Sequence, residues 1–455
     1  MTETRDLLFV SLAANQSRFF LALGRQLEAS GHAVTHVCFH EGAANELRRS
    51  GARVFNPFDY QPAQPDEVNF HDFGVDLPAL LIGHEKAAYE LRDTAALVRK
   101  FKGHLAAMGR IVDAWRGECR NPVMVQELGG FTSVLAAFYA ARSRGIDNWF
   151  IEPSFFRGRV FFTPNTFSAP RVVPGGAPAS PAVRNSIAGV RTTQAVVIPS
   201  KDRLHYRSAG RKLADPRNVR RLVEKLVAKH VRGQREEFEH IGGHVGRHVR
   251  MFLNSRKLAR HYRQLPTDRP LLYYPLHVPA DFALTVRSPE YLDQLATIDF
   301  LCRCAPLGWR VAIKEHPALI GAIDPVRTAE LLRRHDNLVL LSPAINNHWV
   351  LSAAEAVVTI NSKAGAEALL YRKSVFALGD SFYKDSPLVT RVRSLAELPA
   401  LLATPRREID DTGVERFFQD VWDCSHPGEL YDVEPGNVAV FAASLMRCAD
   451  LATGI

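Results

Sequence analysis

Two polar clusters carry residue types suited to phosphate and sugar chemistry. Ile313-Lys314-Glu315-His316-Pro317 closes one apolar run, and Asn361-Ser362-Lys363-Ala364-Gly365 closes another some forty residues later. Lys314 supplies charge for an anion, and His316, its backbone fixed by Pro317, can bond a phosphate or a sugar hydroxyl; Glu315 lies in the same strand end. A strand that ends in Asn361, Ser362 and Lys363 and runs into a helix presents hydroxyls and backbone N–H groups at the positive end of the helix dipole. Gly365 permits close approach there, and Glu367, one turn on, can accept from ribose hydroxyls. A lysine at a helix N-terminus opposes the dipole unless an anion is bound, which favours a ligand over the plainer reading, a helix capped by Ser362 alone. Tyr274-Pro275-Leu276-His277 ends a third apolar run, where His277 is either a ligand contact or an ordinary loop histidine. These residues predict a nucleotide site.

The first half of the chain offers carboxylates instead. Glu127 follows the run Pro122–Gln126, and Glu152 follows Asn148–Ile151. Carboxylates beside an anomeric centre act as general base, nucleophile or stabiliser of oxocarbenium-like charge. Helix capping, or pairing with Arg157 or Arg159, is the alternative. Gln16 and Ser17, in the first strand-to-helix turn, and Arg157 are expected to line the side where an acceptor binds.

The elements that position these residues follow an α/β rhythm. Asp6–Ser11, Ala33–Phe39 and Ala52–Phe55 read as strands, and between them Arg18–Ala29 and Ala43–Ser50 read as helices; Phe19, Phe20, Leu23 and Leu27 share one helical side. A polar loop (61–79), helical patterns from His84 to Arg116, and a strand–helix–strand over 122–151 follow. Phe161–Pro181, rich in Pro, Gly and Ser, is expected to be a surface loop. Residues 200 to 262 read as basic helices with a turn at Gly242-Gly243-His244 and Gly246. A second α/β run starts at Pro270, with strands ending near His277, Lys314, Leu341 and Ile360 and helices over Ser288–Ala305 and Pro325–Arg334. Strands alternating with helices imply parallel sheets covered on both faces, with ligands outside the strands' carboxyl ends. The expected domains are 1–199, a basic helical connection over 200–265, and 266–455, the two α/β halves facing a central cleft.

At 455 residues, with 46% hydrophobic and 23% charged residues, the chain suits two domains. It has no run of the ~18 to 20 apolar residues needed to span a membrane and no basic-then-apolar start, so a cytoplasmic protein is expected. Its six cysteines lack metal-type spacing; reduced thiols and no metal are expected. Between Lys201 and Pro270, 19 Lys or Arg face 7 Asp or Glu, so this one segment accounts for the net charge of +9. Arg211, Lys212, Arg217, Arg220, Arg221, Lys225 and Lys229 fit anionic lipid headgroups, a phosphorylated acceptor or a solvated face. No aromatic stacking pattern accompanies them, which disfavours nucleic acid.

Taken together, the Phe19-Phe20 turn with Gly31-His32 and Phe39, the Glu152–Arg157 turn, Tyr274–His277, Lys-x-His-Pro at 314–317 and Asn361-Ser362 to Gly365 with Gly379 and Tyr383 resemble the bacterial capsule polysaccharide biosynthesis family that includes the retaining β-Kdo glycosyltransferases. The resemblance covers most of the chain and rests on the order and spacing of short motifs. It implies a GT-B fold, a pair of Rossmann-type domains with the nucleotide donor held mainly by the C-terminal one. It also implies a CMP-linked acidic sugar such as Kdo as donor, a glycan or glycolipid acceptor at the inner face of the cytoplasmic membrane, and no cofactor or metal. His316, Pro317, Ser362 and Lys363 would then hold the CMP portion. Relatives usually carry a second acid and a glycine after the first acid of their turn, whereas here Pro153-Ser154 follows Glu152. If the second acid is the catalytic one in those relatives, Glu127, Asp202 or Glu152 itself substitutes for it here, or the activity differs. Competing readings are a UDP-sugar 2-epimerase, a CDP-polyol phosphotransferase, and a non-catalytic polysaccharide assembly component.

Overall fold

The computed structural model describes residues 4–195, 216–238, 240–404 and 408–452. The chain divides into two compact units, Met1–Phe167 with Pro216–His244 and Ser425–Ile455, and Ser168–Asp215 with Val245–Cys424.

In the first unit, strands β1 (Asp6–Ser11), β2 (Ala33–Cys38), β3 (Val54–Phe55), β4 (Pro122–Glu127), β5 (Asp147–Pro153), β6 (Arg159–Pro164) and β13 (His426–Pro427) form a sheet in the order β13-β6-β5-β4-β1-β2-β3. β3, β2, β1, β4 and β5 run parallel, while β6 and β13 pair antiparallel at one edge. β1 is buried from Leu7 to Ser11, as expected of a strand covered on both faces. On one face the helix Ala14–Glu28 buries Phe19, Phe20, Leu23 and Leu27 at helical spacing, and the helix Pro435–Ala452 adds Phe441 and Leu445. Phe19 and Phe441 meet edge to face, 5.1 Å between centroids. On the other, Phe138 of the helix Thr132–Arg142 packs on Phe150 at 5.4 Å.

The second unit carries β7 (Leu271–Pro275), β8 (Arg310–Lys314), β9 (Leu338–Leu341), β10 (Ala356–Thr359), β11 (Ser374–Ala377) and β12 (Val389–Arg391), in the order β12-β11-β10-β7-β8-β9. Every pairing in this sheet is parallel. Leu272, Tyr274, Ile313, Val358 and Phe376 line one face and pack with Leu295, Ile298 and Leu301 of the helix Gln294–Cys304. Two α/β units are the fold class the strand–helix alternation predicts, with one sheet wholly parallel and the other parallel except for β6 and β13 at its edge.

Some local expectations need correction. Phe161–Pro181 is not wholly loop, because β6 pairs antiparallel with β5, Glu152 opposite Phe161. In the sequence the short apolar run Val160-Phe161-Phe162-Thr163 is overshadowed by the Pro- and Gly-rich stretch that follows. The glycines at 242, 243 and 246 do not make a turn; they lie inside the helix Ile241–Ala259. A Cβ at Gly243 would stand 3.1 Å from the Tyr89 carbonyl oxygen, so this glycine serves close backbone approach. The expected helix Ser288–Ala305 is a 3-10 turn at Pro289–Tyr291 followed by the helix Gln294–Cys304, which Asp293 caps through the Ala296 N–H.

Candidate functional site

The order β10-β7-β8 makes neighbours of three strands whose carboxyl ends lead into Asn361-Ser362-Lys363, His277 and Lys314-Glu315-His316. Residues far apart in sequence therefore gather at one edge of the second sheet, where ligands bind in open parallel α/β sheets.

The turn after β10 is tied down closely. The Asn361 N–H donates to Nε2 of His277 at 3.2 Å, while the His277 N–H donates to Oε1 of Gln294 and Nε2 of Gln294 donates back to the His277 carbonyl. Nδ2 of Asn361 reaches the Ala283 carbonyl and Oγ of Ser288, and Oγ of Ser288 accepts from the Asp380 N–H. A Cβ at Gly379 would collide with Ser288, which accounts for a glycine there. The Ser362 hydroxyl accepts from the Ala364 N–H and its carbonyl from the Gly365 N–H and the Tyr383 hydroxyl, so part of the expected N–H cradle is already occupied by the chain's own groups. Gly365 lies under Tyr383, whose hydroxyl would be 2.5 Å from a Cβ. Lys363 is the first residue of the helix Lys363–Leu369, half-buried, and His316 caps the short turn Pro317–Leu319 through Nδ1 and the Ala318 N–H. That bond leaves the proton of a neutral His316 on Nε2. Burial pushes His277 down to about 4, with His316 adding to the effect and Asp281 opposing it; His277 is thus a neutral acceptor.

Strand register separates Lys314 from Glu315. Tyr273 lies opposite Ala312 and Val357, and Pro275 opposite Lys314, so Tyr273 and Lys314 share one face while Tyr274, Ile313 and Glu315 belong to the other. On the first face, Tyr273 donates to Asn347 at 2.8 Å and Asn347 donates to Glu367 at 3.0 Å. Lys314 is buried beside this chain of bonds; burial lowers its pKa to about 8, against the field of Glu367. On the second face Glu315 accepts from the Tyr262 hydroxyl at 2.5 Å and from the Gly321 N–H at 2.8 Å, and burial raises its pKa. Glu315 thus braces the fold, whereas Lys314, His316, Asn361, Ser362 and Lys363 frame the strand-end edge.

In the first unit Glu127 forms a small polar centre. Oε2 of Glu127 accepts from Nε2 of Gln16 at 2.8 Å and, over a short contact, from the Tyr431 hydroxyl, while the Gln16 amide also reaches Tyr431 at 3.0 Å. Oε1 of Gln16 accepts from the Leu12 N–H at 2.6 Å, which fixes the orientation of the amide. Glu127 lies opposite Ile151, so Glu152 one residue on faces the other side of the sheet and the register does not pair these carboxylates. Pro153 continues β5 opposite Val160, and Arg157 is exposed in the β5–β6 turn. Ser17 is buried and bonded to Ser11 and Cys38. Asp202, Arg211 and Lys212 lie outside the described residues.

A further cluster escaped sequence reasoning. Lys100, of the helix Thr94–Arg116, bridges Glu85 and Glu237 at 2.9 Å each, and Glu85 accepts from the N–H and hydroxyl of Thr132. Burial opposes the charge on Glu85, but Lys100 and Thr132 outweigh it and hold the carboxyl below its usual range. Burial and then Lys100 push His104 down to about 3, so it stays neutral. These residues hold the segment Pro216–His244 within its unit. Their spacing, over some 150 residues, follows no motif.

Among the described residues no group of three or more His, Cys, Asp or Glu could hold a metal, and no helix is long and apolar enough to cross a membrane.

The geometry defines a class: a two-unit α/β protein with polar side chains gathered at the carboxyl ends of a parallel sheet. Residues 218–416 match the family model described as capsule polysaccharide biosynthesis protein, which bears out the resemblance drawn from the motifs over this stretch. Protein FixF of Sinorhizobium fredii (strain NBRC 101917 / NGR234) is 30% identical over 172 residues, 37% of this chain and 41% of that protein, so the match spans about two fifths of the curated relative. Among solved structures, the β-Kdo 2,7 transferase of Thermosulfurimonas dismutans KpsC aligns with 14% identity and a TM-score of 0.34, covering 75% of this chain and 95% of its own. The β-Kdo 2,4 transferase of the same protein aligns with 13% identity and a TM-score of 0.31, over 71% and 91%.

Proposed function

We propose that this protein is a glycosyltransferase of surface-polysaccharide biosynthesis that moves Kdo or a related acidic sugar from a CMP donor to a glycan or glycolipid acceptor. The observation that carries the reading is the convergence of Lys314, His316 and Asn361-Ser362-Lys363 at adjacent strand ends, within the stretch that matches the capsule family. Lys314 and Lys363 are the cations that offset charge on the departing phosphate, His316 donates from Nε2, and Glu367, oriented by Asn347, accepts from ribose hydroxyls.

In the transfer, the acceptor hydroxyl oxygen bonds to the anomeric carbon and the bond from that carbon to the phosphate oxygen breaks, its electron pair leaving with CMP. The hydroxyl proton passes to a carboxylate. Glu127, half-buried and held by two donors, suits that role better than Glu152 on the opposite face of the sheet. The basic helix Pro216–His230 suits an anionic acceptor or membrane surface.

Thermal stabilisation by CMP, CDP and UDP at matched concentrations tests the donor. Selective stabilisation by CMP, followed by acceptor-dependent CMP release from a CMP-sugar, is the expected result. A preference for UDP, or sugar conversion without acceptor, overturns it in favour of epimerase chemistry.

A further inference from the structure

Glu127, Gln16 and Tyr431 come from three distant parts of the chain and close a triangle of hydrogen bonds. Gln16 sits in the first turn of the helix Ala14–Glu28, anchored by the Leu12 N–H; Glu127 ends β4; Tyr431 arrives on the segment after β13. Both donors act on the same oxygen, Oε2. An ionised carboxylate accepts both bonds, whereas a proton on that oxygen would displace one of them.

The segment that delivers Tyr431 is built to hold it still. Tyr431 has φ +66°, a left-handed conformation that an aromatic residue adopts only when its surroundings impose it. Three bonds of Asn437 impose it: Nδ2 donates to the carbonyls of Glu429 and Asp432, and Oδ1 accepts from the Glu429 N–H. Leu430 is buried in the core beside Phe441, and the Phe19 ring meets Tyr431 edge to face at 5.9 Å. The triangle is half-buried rather than sealed, so the carboxylate it orients can still meet a substrate.

We infer that Tyr431 is a positioning residue for Glu127, aiming its carboxylate for the transfer proposed above, on which this inference rests. Gln16 is then the second positioning residue rather than an acceptor contact.

The test uses the full chain carrying Tyr431→Phe, with Gln16→Met as a second variant should the first fail to fold. Transfer is followed across pH, and nucleotide stabilisation is measured in parallel. The expected result is a ~10–100-fold fall in kcat, a donor KM within about twofold of wild type, and an acid limb of the pH–rate profile moved upward by about one unit. Nucleotide stabilisation stays at the wild-type level. A profile that superimposes on wild type, or a fall in kcat with the acid limb unmoved, overturns the inference and leaves Tyr431 as packing. Wild-type protein that transfers from no CMP-, CDP- or UDP-sugar is a separate outcome, which sinks the function itself.

Discussion

The backbone N–H of Asn361 donates to Nε2 of His277 at 3.2 Å, joining the turn after β10 to the end of β7 across 84 residues of sequence. Only a neutral imidazole can accept that bond, and burial, which pushes His277 down to about 4, keeps it neutral.

This arrangement fixes the sign of a pH dependence. Below about 6.5 the unfolded chain binds a proton that folded His277 takes up only near 4, and the same holds for His36, about 4, and His104, about 3. Stability is full above about 6.5 and falls as pH drops towards 4, by roughly 3 kcal/mol for His277 alone. Urea unfolding at stepped pH measures it. In His277→Phe the curve should be flatter over that window, and an unchanged slope counts against the assignment.

Lys314 sets a limit at the other end. Burial lowers its pKa to about 8, so the cation that faces the proposed phosphate is lost as pH rises past that value. Nucleotide affinity should weaken between about pH 8 and 9. In Lys314→Met affinity should drop ~10-fold at pH 7 and lose this dependence, as read by titration calorimetry.

Lys100 pairs with two carboxylates at once. Lys100→Met leaves Glu85 and Glu237 buried without their cation, at a cost of ~3–5 kcal/mol. Denaturant melts give the loss; a change under ~1 kcal/mol would show that water already reaches the cluster.

Gly321 and Glu315 belong together. Gly321 has φ +87°, a Cβ there would strike the Met251 carbonyl, and its N–H donates to Glu315. Gly321→Ala and Glu315→Ala should each destabilise by ~2–4 kcal/mol, the first through backbone strain, the second by leaving the Tyr262 hydroxyl and the Gly321 N–H without their acceptor. Neither should change which nucleotide the folded protein prefers; a switch in preference would return Glu315 to the binding edge.

Much of this architecture can be read from the chain because it is written locally. Strand and helix periods gave β1, β2, β4, β7, β8 and β10, and with them the edge at which Lys314, His316 and Asn361 meet. What escaped reading depends on registry and return. That Glu315 faces away from Lys314 follows from a period of two only once the strand end is known. That Glu127 meets Tyr431 requires the last segment to come back to the first sheet, a pairing over 304 residues that no local pattern records. Lys100 with Glu237 is the same case, two ordinary charged residues until the segment Pro216–His244 is in place.

The threading of the chain through its units also bears on how this protein can be divided. The stretch that carries the family match, 218–416, begins inside a segment of the first unit and stops within the helix Asp411–Asp423 of the second. A fragment cut at those limits would inherit the helix after Pro216 without the sheet it belongs to, and would sever the helix that ends at Asp423. Similarity and foldability therefore have different borders here. A recombinant or chimeric design should exchange the whole chain rather than the recognisable part.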